Sequence, residues 1–353
     1  MRPFRSFMIT LLVGIIGGIA FPIYLYGTNI QTIAAGMIVG ILISFSITTV
    51  EKRILHEPLR RIRFTSALLL RTAVQLVVIL FYVLVGFAVY KEIFGNSGMS
   101  NERHLPTFRE FMFGGELLTI VLYGLTLSFF FNMIRQMSRM LGQNVLLNMI
   151  IGKYSKPIEE ERIFMFLDLN ASTTIAERIG NIRYHELLDD YVYDITKPIL
   201  ESGGEIYQYV GDEVVVTWSH TRSMKAMNCI DCFFRISEVM EQLAPKYQQK
   251  YGFIPGFKAG FHYGTVVTGQ IGDIKKEIVF QGDVVNTASR IKETCNSLGA
   301  KILLSRELLD VLPIANSSYK ALRVGSFLLK GKEHEVELFS VVNTEAAEAK
   351  KKS

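Results

Sequence analysis

Three short stretches of this chain have residue types and spacing that suit phosphate chemistry. In Phe166-Leu167-Asp168-Leu169-Asn170 a carboxylate stands at the end of an apolar, strand-like run, and Ala171, Ser172 and Thr173 then open a helix whose first amides suit a phosphate. In Gly211-Asp212-Glu213 a second carboxylate stands at a two-residue turn between β-rich runs. Singly, a strand-end Asp is an ordinary helix cap and a Gly-Asp pair an ordinary turn. Brought together, the two could hold two Mg²⁺ ions, which prefer hard oxygens, lower the pKa of an attacking hydroxyl and neutralise a triphosphate. The third stretch runs from Gly282 to Arg290, with Asn286 and Arg290 four apart on one helix face. An amide and a guanidinium so placed can orient a ribose and stabilise charge developing on a phosphate. The plainer reading is an exposed polar pair.

Hydrophobic patterning supplies the elements that would position these residues. It predicts a strand at 162–169, a helix through 184–200, a hairpin at 205–218 and a helix at 224–243. A strand at 257–268, a short one at 278–281, a helix at 284–298 and a hairpin of 323–329 with 336–341 follow. This is an α/β (α+β) domain with a ferredoxin-like βαββαβ core and C-terminal additions, which can bring the end of its first strand beside its central hairpin.

The 353 residues exceed one ordinary domain, and a hydrophobic content of 49% is high for a wholly soluble protein. Residues 6–50 carry no charge, a run about twice what one bilayer-crossing helix needs. Gly27, Thr28 and Asn29 break it, giving spans at about 7–26 and 30–50. A third span at about 65–90 is interrupted only by Arg71 and Gln75, and a fourth lies at about 116–135. The reading is therefore an α-helical four-span membrane domain at 1–138. A helical linker or short coiled coil follows at 139–160, a catalytic domain at 161–343 and a basic tail at 344–353. Arg2, Arg5, Lys52, Arg53, Arg60, Arg61, Arg63, Arg135, Arg139 and Lys153 place both termini in the cytoplasm of a multi-pass cell-membrane protein. The first span turns straight into the second without a small-residue cleavage site, so it is read as an anchor. The short outer loop, 91–115, leaves little room for a sensor domain with its own core. Arg71 is read as snorkelling to the headgroups, with a buried partner as the alternative.

Met133, Met137, Met140, Asn144, Leu147 and Ile151 recur at heptad spacing, the seam of a short parallel coiled coil with Asn144 fixing register; the alternative is one amphipathic helix. Pro157 and Glu159, Glu160 and Glu161 then close the linker. The net charge of +5 lies mostly beside the spans and in the tail, which implies anionic lipid rather than nucleic acid. Three cysteines fit a reducing compartment, and Cys229-Ile230-Asp231-Cys232, without a second pair, is read as core thiols rather than a zinc site. His185, His220 and His262 match no ligand spacing, and Trp218 is read as core.

The strand-end Asp168, the Gly211-Asp212-Glu213 hairpin, the Val285-Asn286-Thr287-Ala288-Ser289-Arg290 helix and the later Leu329-Lys330-Gly331 resemble, in order and spacing, the class III adenylyl and guanylyl cyclases, including membrane-anchored bacterial adenylate cyclases. The resemblance covers 162–342. It implies a lyase that turns ATP into 3′,5′-cyclic AMP and pyrophosphate. Asp168, Asp212 and the Leu169 carbonyl would ligate two Mg²⁺, for which Mn²⁺ can substitute. Asn286 and Arg290 would form the transition-state pair and Lys330 would bind phosphate. It further implies a homodimer, because the family builds each site from two domains arranged head to tail. The pattern departs at the purine, where Gln208 and Val279 replace the usual Lys and Asp. Glu277, on the same strand face as Val279, could supply the missing carboxylate. A Gln amide can pair with adenine or, flipped, with guanine, so cyclic GMP from GTP is the alternative activity. Ala171 and Ser172 stand where the family often has Gly and Phe. A non-catalytic nucleotide-sensing membrane receptor is the alternative of a different class, and a transporter fits poorly with so few spans.

Overall fold

The computed structural model describes residues 2–28, 30–51, 53, 62–94, 107–142, 145–219, 227–314 and 317–344, with backbone alone for 2–6, 25–26, 90 and 93–94. Lys52, Arg60, Arg61, Asn144, His220, the tail beyond Thr344 and the side chains of Arg2 and Arg5 lie outside the described residues. The chain divides into two compact units, Met1–Leu141 and Gly142–Ser353.

In the first unit the chain forms the helices α1 (Arg2–Tyr26), α2 (Ile30–Val50), α3 (Phe64–Phe94), a short α4 (Phe108–Phe113) and α5 (Glu116–Leu141), which satisfy their backbone internally. All but α4 are long and apolar enough to cross a membrane, over Phe7–Tyr24, Ile30–Val50, Phe64–Val89 and Glu116–Leu141. α4, within the loop expected at 91–115, starts at a capping box in which Thr107 and Glu110 satisfy each other's backbone N–H. α1 and α2 approach almost backbone to backbone: a Cβ on Gly18 would lie 2.3 Å from the Gly36 carbonyl oxygen.

Arg71 does not snorkel. It is buried, and its Nη1 donates to Gln136 Oε1 at 3.2 Å. Four residues further along α3, Gln75 and Asn132 exchange hydrogen bonds of 3.1 and 2.9 Å. Gln75 of α3 and Asn132 of α5 thus satisfy one another, as apolar surroundings require. The helix predicted through 133–151 is divided: α5 ends at Leu141, Gly142 turns the chain at φ +95°, and α6 (Val145–Ile151) follows. Glu159, Glu160 and Glu161 belong to the next strand rather than to a linker, and Glu160 pairs with Arg162 at 2.9 Å.

In the second unit β1 (Ile158–Leu169) leads through α7 (Ser172–Ile179) and α8 (Asn181–Glu201) to the hairpin of β2 (Glu205–Val210) and β3 (Glu213–Ser219). Then come α9 (Asn228–Gln242), α10 (Ala244–Tyr251), β4 (Phe257–Ile271), β5 (Glu277–Gln281), α11 (Asp283–Leu298), β6 (Ile302–Ser305), α12 (Arg306–Val311), β7 (Tyr319–Phe327) and β8 (Val336–Asn343). The strands form one sheet in the order β2-β3-β1-β4-β6-β8-β7, with β5 pairing β4. Its first four strands are antiparallel to their neighbours, as in a ferredoxin-like core, while β6 lies parallel to β4. Period-two alternation splits β1 between two layers. Ile163, Met165, Leu167 and Leu169 pack with α8, α9 and α10, whereas Phe164 and Phe166 pack with Val284 and Ala288 of α11. α11 lies so close to β4 that a Cβ on Gly260 would meet the Lys292 backbone nitrogen at 2.2 Å.

Candidate active site

The face of β1 that carries Phe164 and Phe166 carries Asp168 next, where the strand ends. The face of α11 that carries Val284 and Ala288 carries Lys292 next, one turn on. These two periodicities bring Lys292 Nζ to 3.3 Å from Asp168 Oδ2. Lys258, opposite Asp168 in the β1–β4 register, supplies a second ammonium at 2.9 Å and lies 3.5 Å from the Leu169 carbonyl. Glu213, at the start of β3, meets the other side of Lys292 at 2.7 Å. Asp212, at the hairpin turn beside it, lies close enough to Asp168 and to Ser172 for each to shift its titration, and Ser172 also bears on Tyr184. Its Oδ2 is buried and has no hydrogen-bond partner among the described residues. The two carboxylates singled out from sequence are therefore neighbours.

Their protonation differs with their partners. Burial raises the Asp168 pKa, but the hydrogen bonds from Lys258 and Asp212 and the nearby ammonium charges outweigh it and hold it below the usual range. Burial pushes Asp212 up against the downward pull of Ser172, and the neighbouring Asp168 adds to the rise. Burial likewise raises Glu213 despite Lys292. Lys292 would be lowered by burial, yet Glu213 and Asp168 keep it above its ordinary value. Tyr191, buried without a hydroxyl partner among the described residues, is raised by burial and then by the charges of Asp168 and Asp212.

α7 begins at Ala171, whose φ of +53° is left-handed. An L-residue tolerates that conformation at some cost and Gly adopts it freely, which accounts for a preference for Gly at this point. Ser172 is half-buried and Thr173 exposed.

The remaining candidates lie apart from this cluster. Asn286 is exposed, and Arg290 Nη1 meets both carboxylate oxygens of Glu293 at 2.8 Å. Lys330 is exposed in the loop after β7; that loop is tied to the first turn of α11 by Lys332 and Asp283. Among the described residues no hydrogen bond or ion pair joins Asn286, Arg290 or Lys330 to Asp168 or Asp212. Gln208 is exposed just past a bulge at Tyr207, Val279 is half-buried on β5, and Glu277 is exposed and paired with Lys275 at 2.6 Å.

Lys258 and Lys292 were not singled out from sequence. The signal for Lys292 was available as the 284-288-292 stripe, while Lys258 needed the strand register. Cys229, Cys232 and Cys295 are free and buried, and burial pushes Cys232 and Cys295 up to about 12 and Cys229 higher still. Trp218 is buried and donates to the Ser202 carbonyl at 3.1 Å. His185 is exposed and His262 is buried against Ser305 at 2.7 Å. Among the described residues no three His, Cys, Asp or Glu side chains converge as a metal cage. Two carboxylates and a carbonyl are a partial oxygen set, which suits a cation that takes further oxygens from phosphate.

Residues 154–343 match the family model described as the adenylate and guanylate cyclase catalytic domain. The chain is 38% identical over 192 residues to adenylate cyclase 2 of Rhizobium meliloti (strain 1021), covering 54% of this chain and 53% of that protein. It is 27% identical over 186 residues to adenylate cyclase of Anabaena cylindrica, covering 50% of this chain and 36% of that protein. The chain thus spans about half or less of these relatives. A bacterial light-regulated adenylyl cyclase has a similar fold, with a TM-score of 0.52 at 18% identity, over 73% of this chain and 79% of that one.

Proposed function

Because the chain belongs to the adenylate and guanylate cyclase catalytic domain family, we propose that it is a membrane-bound adenylate cyclase, converting ATP to 3′,5′-cyclic AMP and pyrophosphate for intracellular signalling. The observation that carries this reading is the Asp168–Asp212 pair with the buried, unpartnered Asp212 Oδ2. A buried carboxylate oxygen without a donor is costly, and a cation relieves that cost. These oxygens and the Leu169 carbonyl fit Mg²⁺, or Mn²⁺ in its place, as hard ligands. When bound, the metal pair lowers the pKa of the ribose 3′-hydroxyl and offsets the triphosphate charge.

The chain's own groups do the rest. The amides at Ala171, Ser172 and Thr173 receive phosphate oxygens at the start of α7. Gln208, Val279 and Glu277 line the purine side, and the adenylate cyclases among its relatives favour ATP as the substrate. Asn286 orients the ribose, Arg290 stabilises charge on the α-phosphate and Lys330 holds the polyphosphate. Since these three lie apart from Asp168 and Asp212 in one chain, the site is completed in a head-to-tail homodimer. Asp168 and Asp212 of one protomer then act with the partner's Asn286, the partner's Arg290 and the partner's Lys330. Four apolar helices anchor the dimer, and the basic residues beside them favour an orientation with both termini cytoplasmic. The boundaries 1–138, 139–160, 161–343 and 344–353 belong to this reading.

The test is to incubate the full chain in detergent with ATP or with GTP and Mg²⁺ or Mn²⁺ and to separate the products. Cyclic AMP is expected. Cyclic GMP alone would move the assignment to guanylate cyclase, and no cyclic product with either nucleotide would leave a nucleotide-sensing receptor.

A further inference from the structure

At one end of the four-helix unit a carboxylate is surrounded by more positive charge than it balances. Glu51, directly after α2, is 8% exposed. Its Oε2 meets Arg135 Nη1 at 2.5 Å, and its Oε1 meets Arg139 Nη2 at 3.1 Å and Arg71 Nε at 3.8 Å. Arg71 is 7% exposed. Its Nη1 serves Gln136, but its buried Nε has no hydrogen-bond acceptor among the described residues. Among the described residues three guanidiniums against one carboxylate leave two positive charges in excess, and the buried groups beside them, Thr72, Gln75, Asn132 and Gln136, are neutral. The surplus positive charge at this end and the unaccepted N–H of the buried Arg71 both call for an anion. All four charged groups come from the same end of the bundle, after α2, early in α3 and late in α5, and Arg139 is half exposed, which opens the cluster to the outside.

We propose that this cluster binds the phosphate of an anionic phospholipid headgroup. Guanidinium forks match phosphate oxygens. The ends of membrane-crossing helices lie at headgroup depth, which favours a lipid over free phosphate as the source. The inference rests on the helices being membrane spans and is independent of the cyclase chemistry.

The full chain, shown to stay with the membrane fraction after a high-salt wash, is placed in nanodiscs of phosphatidylcholine with a minor fraction of phosphatidylglycerol. Retained lipid is counted by native mass spectrometry, with and without added inorganic phosphate. Two surplus charges predict a preference for phosphatidylglycerol of roughly 30-fold, insensitive to inorganic phosphate. Arg139→Gln, at a half-exposed position that tolerates change, lowers the preference about fivefold, and Arg71→Gln lowers it at least as much. Glu51→Gln raises it, because the competing carboxylate is gone. A cluster that only braces the helices would show no such opposite effects. Equal retention of the two lipids, an unchanged preference in Arg139→Gln and Glu51→Gln, displacement by inorganic phosphate, or a chain that washes off the bilayer overturns the proposal.

Discussion

Lys292 and a bound metal are rival counter-charges for Asp168, and Lys292→Met removes one of them. Lys292 Nζ sits 2.7 Å from Glu213 and 3.3 Å from Asp168, with a side chain 14% exposed. At an effective dielectric near 20 a unit pair at this range is worth about 5 kcal/mol gross. Desolvation and the open edge of the cluster reduce the expected net loss to about 2 kcal/mol. The metal-free variant should therefore be less stable by that amount. A divalent cation, no longer required to displace an ammonium, should bind roughly 30-fold more tightly. Mn²⁺ affinity is read from the free-ion electron paramagnetic resonance signal. Stability is read by urea unfolding, using the fluorescence of Trp218, the chain's single, fully buried tryptophan. The destabilisation seen in EDTA should be largely recovered in Mn²⁺. Unchanged or weaker Mn²⁺ binding, or an equal loss of stability with and without Mn²⁺, would refute this competition.

Asp212→Asn removes a half-buried carboxyl whose buried Oδ2 lacks a partner among the described residues, so the metal-free fold should keep or gain up to about 1 kcal/mol while cyclic nucleotide formation is lost; a clearly destabilised variant speaks against the site. Among the described residues the Arg290 guanidinium bonds its neighbour Glu293 on the helix surface, so Arg290→Ala should change stability by under about 0.5 kcal/mol yet lower kcat about 100-fold. An effect confined to KM would make it only a binding residue. Burial holds the His262 imidazole at about 4 against an ordinary 6.5. The unfolded chain therefore takes up a proton near pH 6.5 that the folded chain refuses until about pH 4. Stability should fall by up to about 3 kcal/mol across that window as pH drops, and His262→Gln should lack that slope. Parallel slopes in urea unfolding would contradict this.

The four long apolar helices were legible because runs of this length with little or no charge satisfy their own backbone as helices. The β1 strand and the β2–β3 hairpin were legible because alternation and Gly-Asp turn chemistry are local signals. The Asp168–Asp212 pair followed from both. α10, β6 and α12 were not legible: four to eight residues give no reliable period, and each is held by the sheet or by α8 rather than by its own pattern. Residues 133–151 carried a good heptad pattern, but one Gly at position 142 in a left-handed conformation ends the helix. Arg71 was misread because snorkelling is a property of an isolated helix, whereas its partners Glu51 and Gln136 come from the end of α2 and from α5. Lys258 joins the site through strand register, which no single segment encodes.

The shared site is tested most directly by mixing two inactive proteins, Asp212→Ala and Arg290→Ala, under conditions where differently tagged full-length chains exchange. Each homodimer damages both of its sites, but the mixed dimer gathers both lesions in one site and leaves the other intact. Cyclic AMP formation should return, to at most about half the wild-type rate per mixed dimer. If tagged mixed dimers are recovered and remain as inactive as their parents, the two halves of the site do not come from two chains.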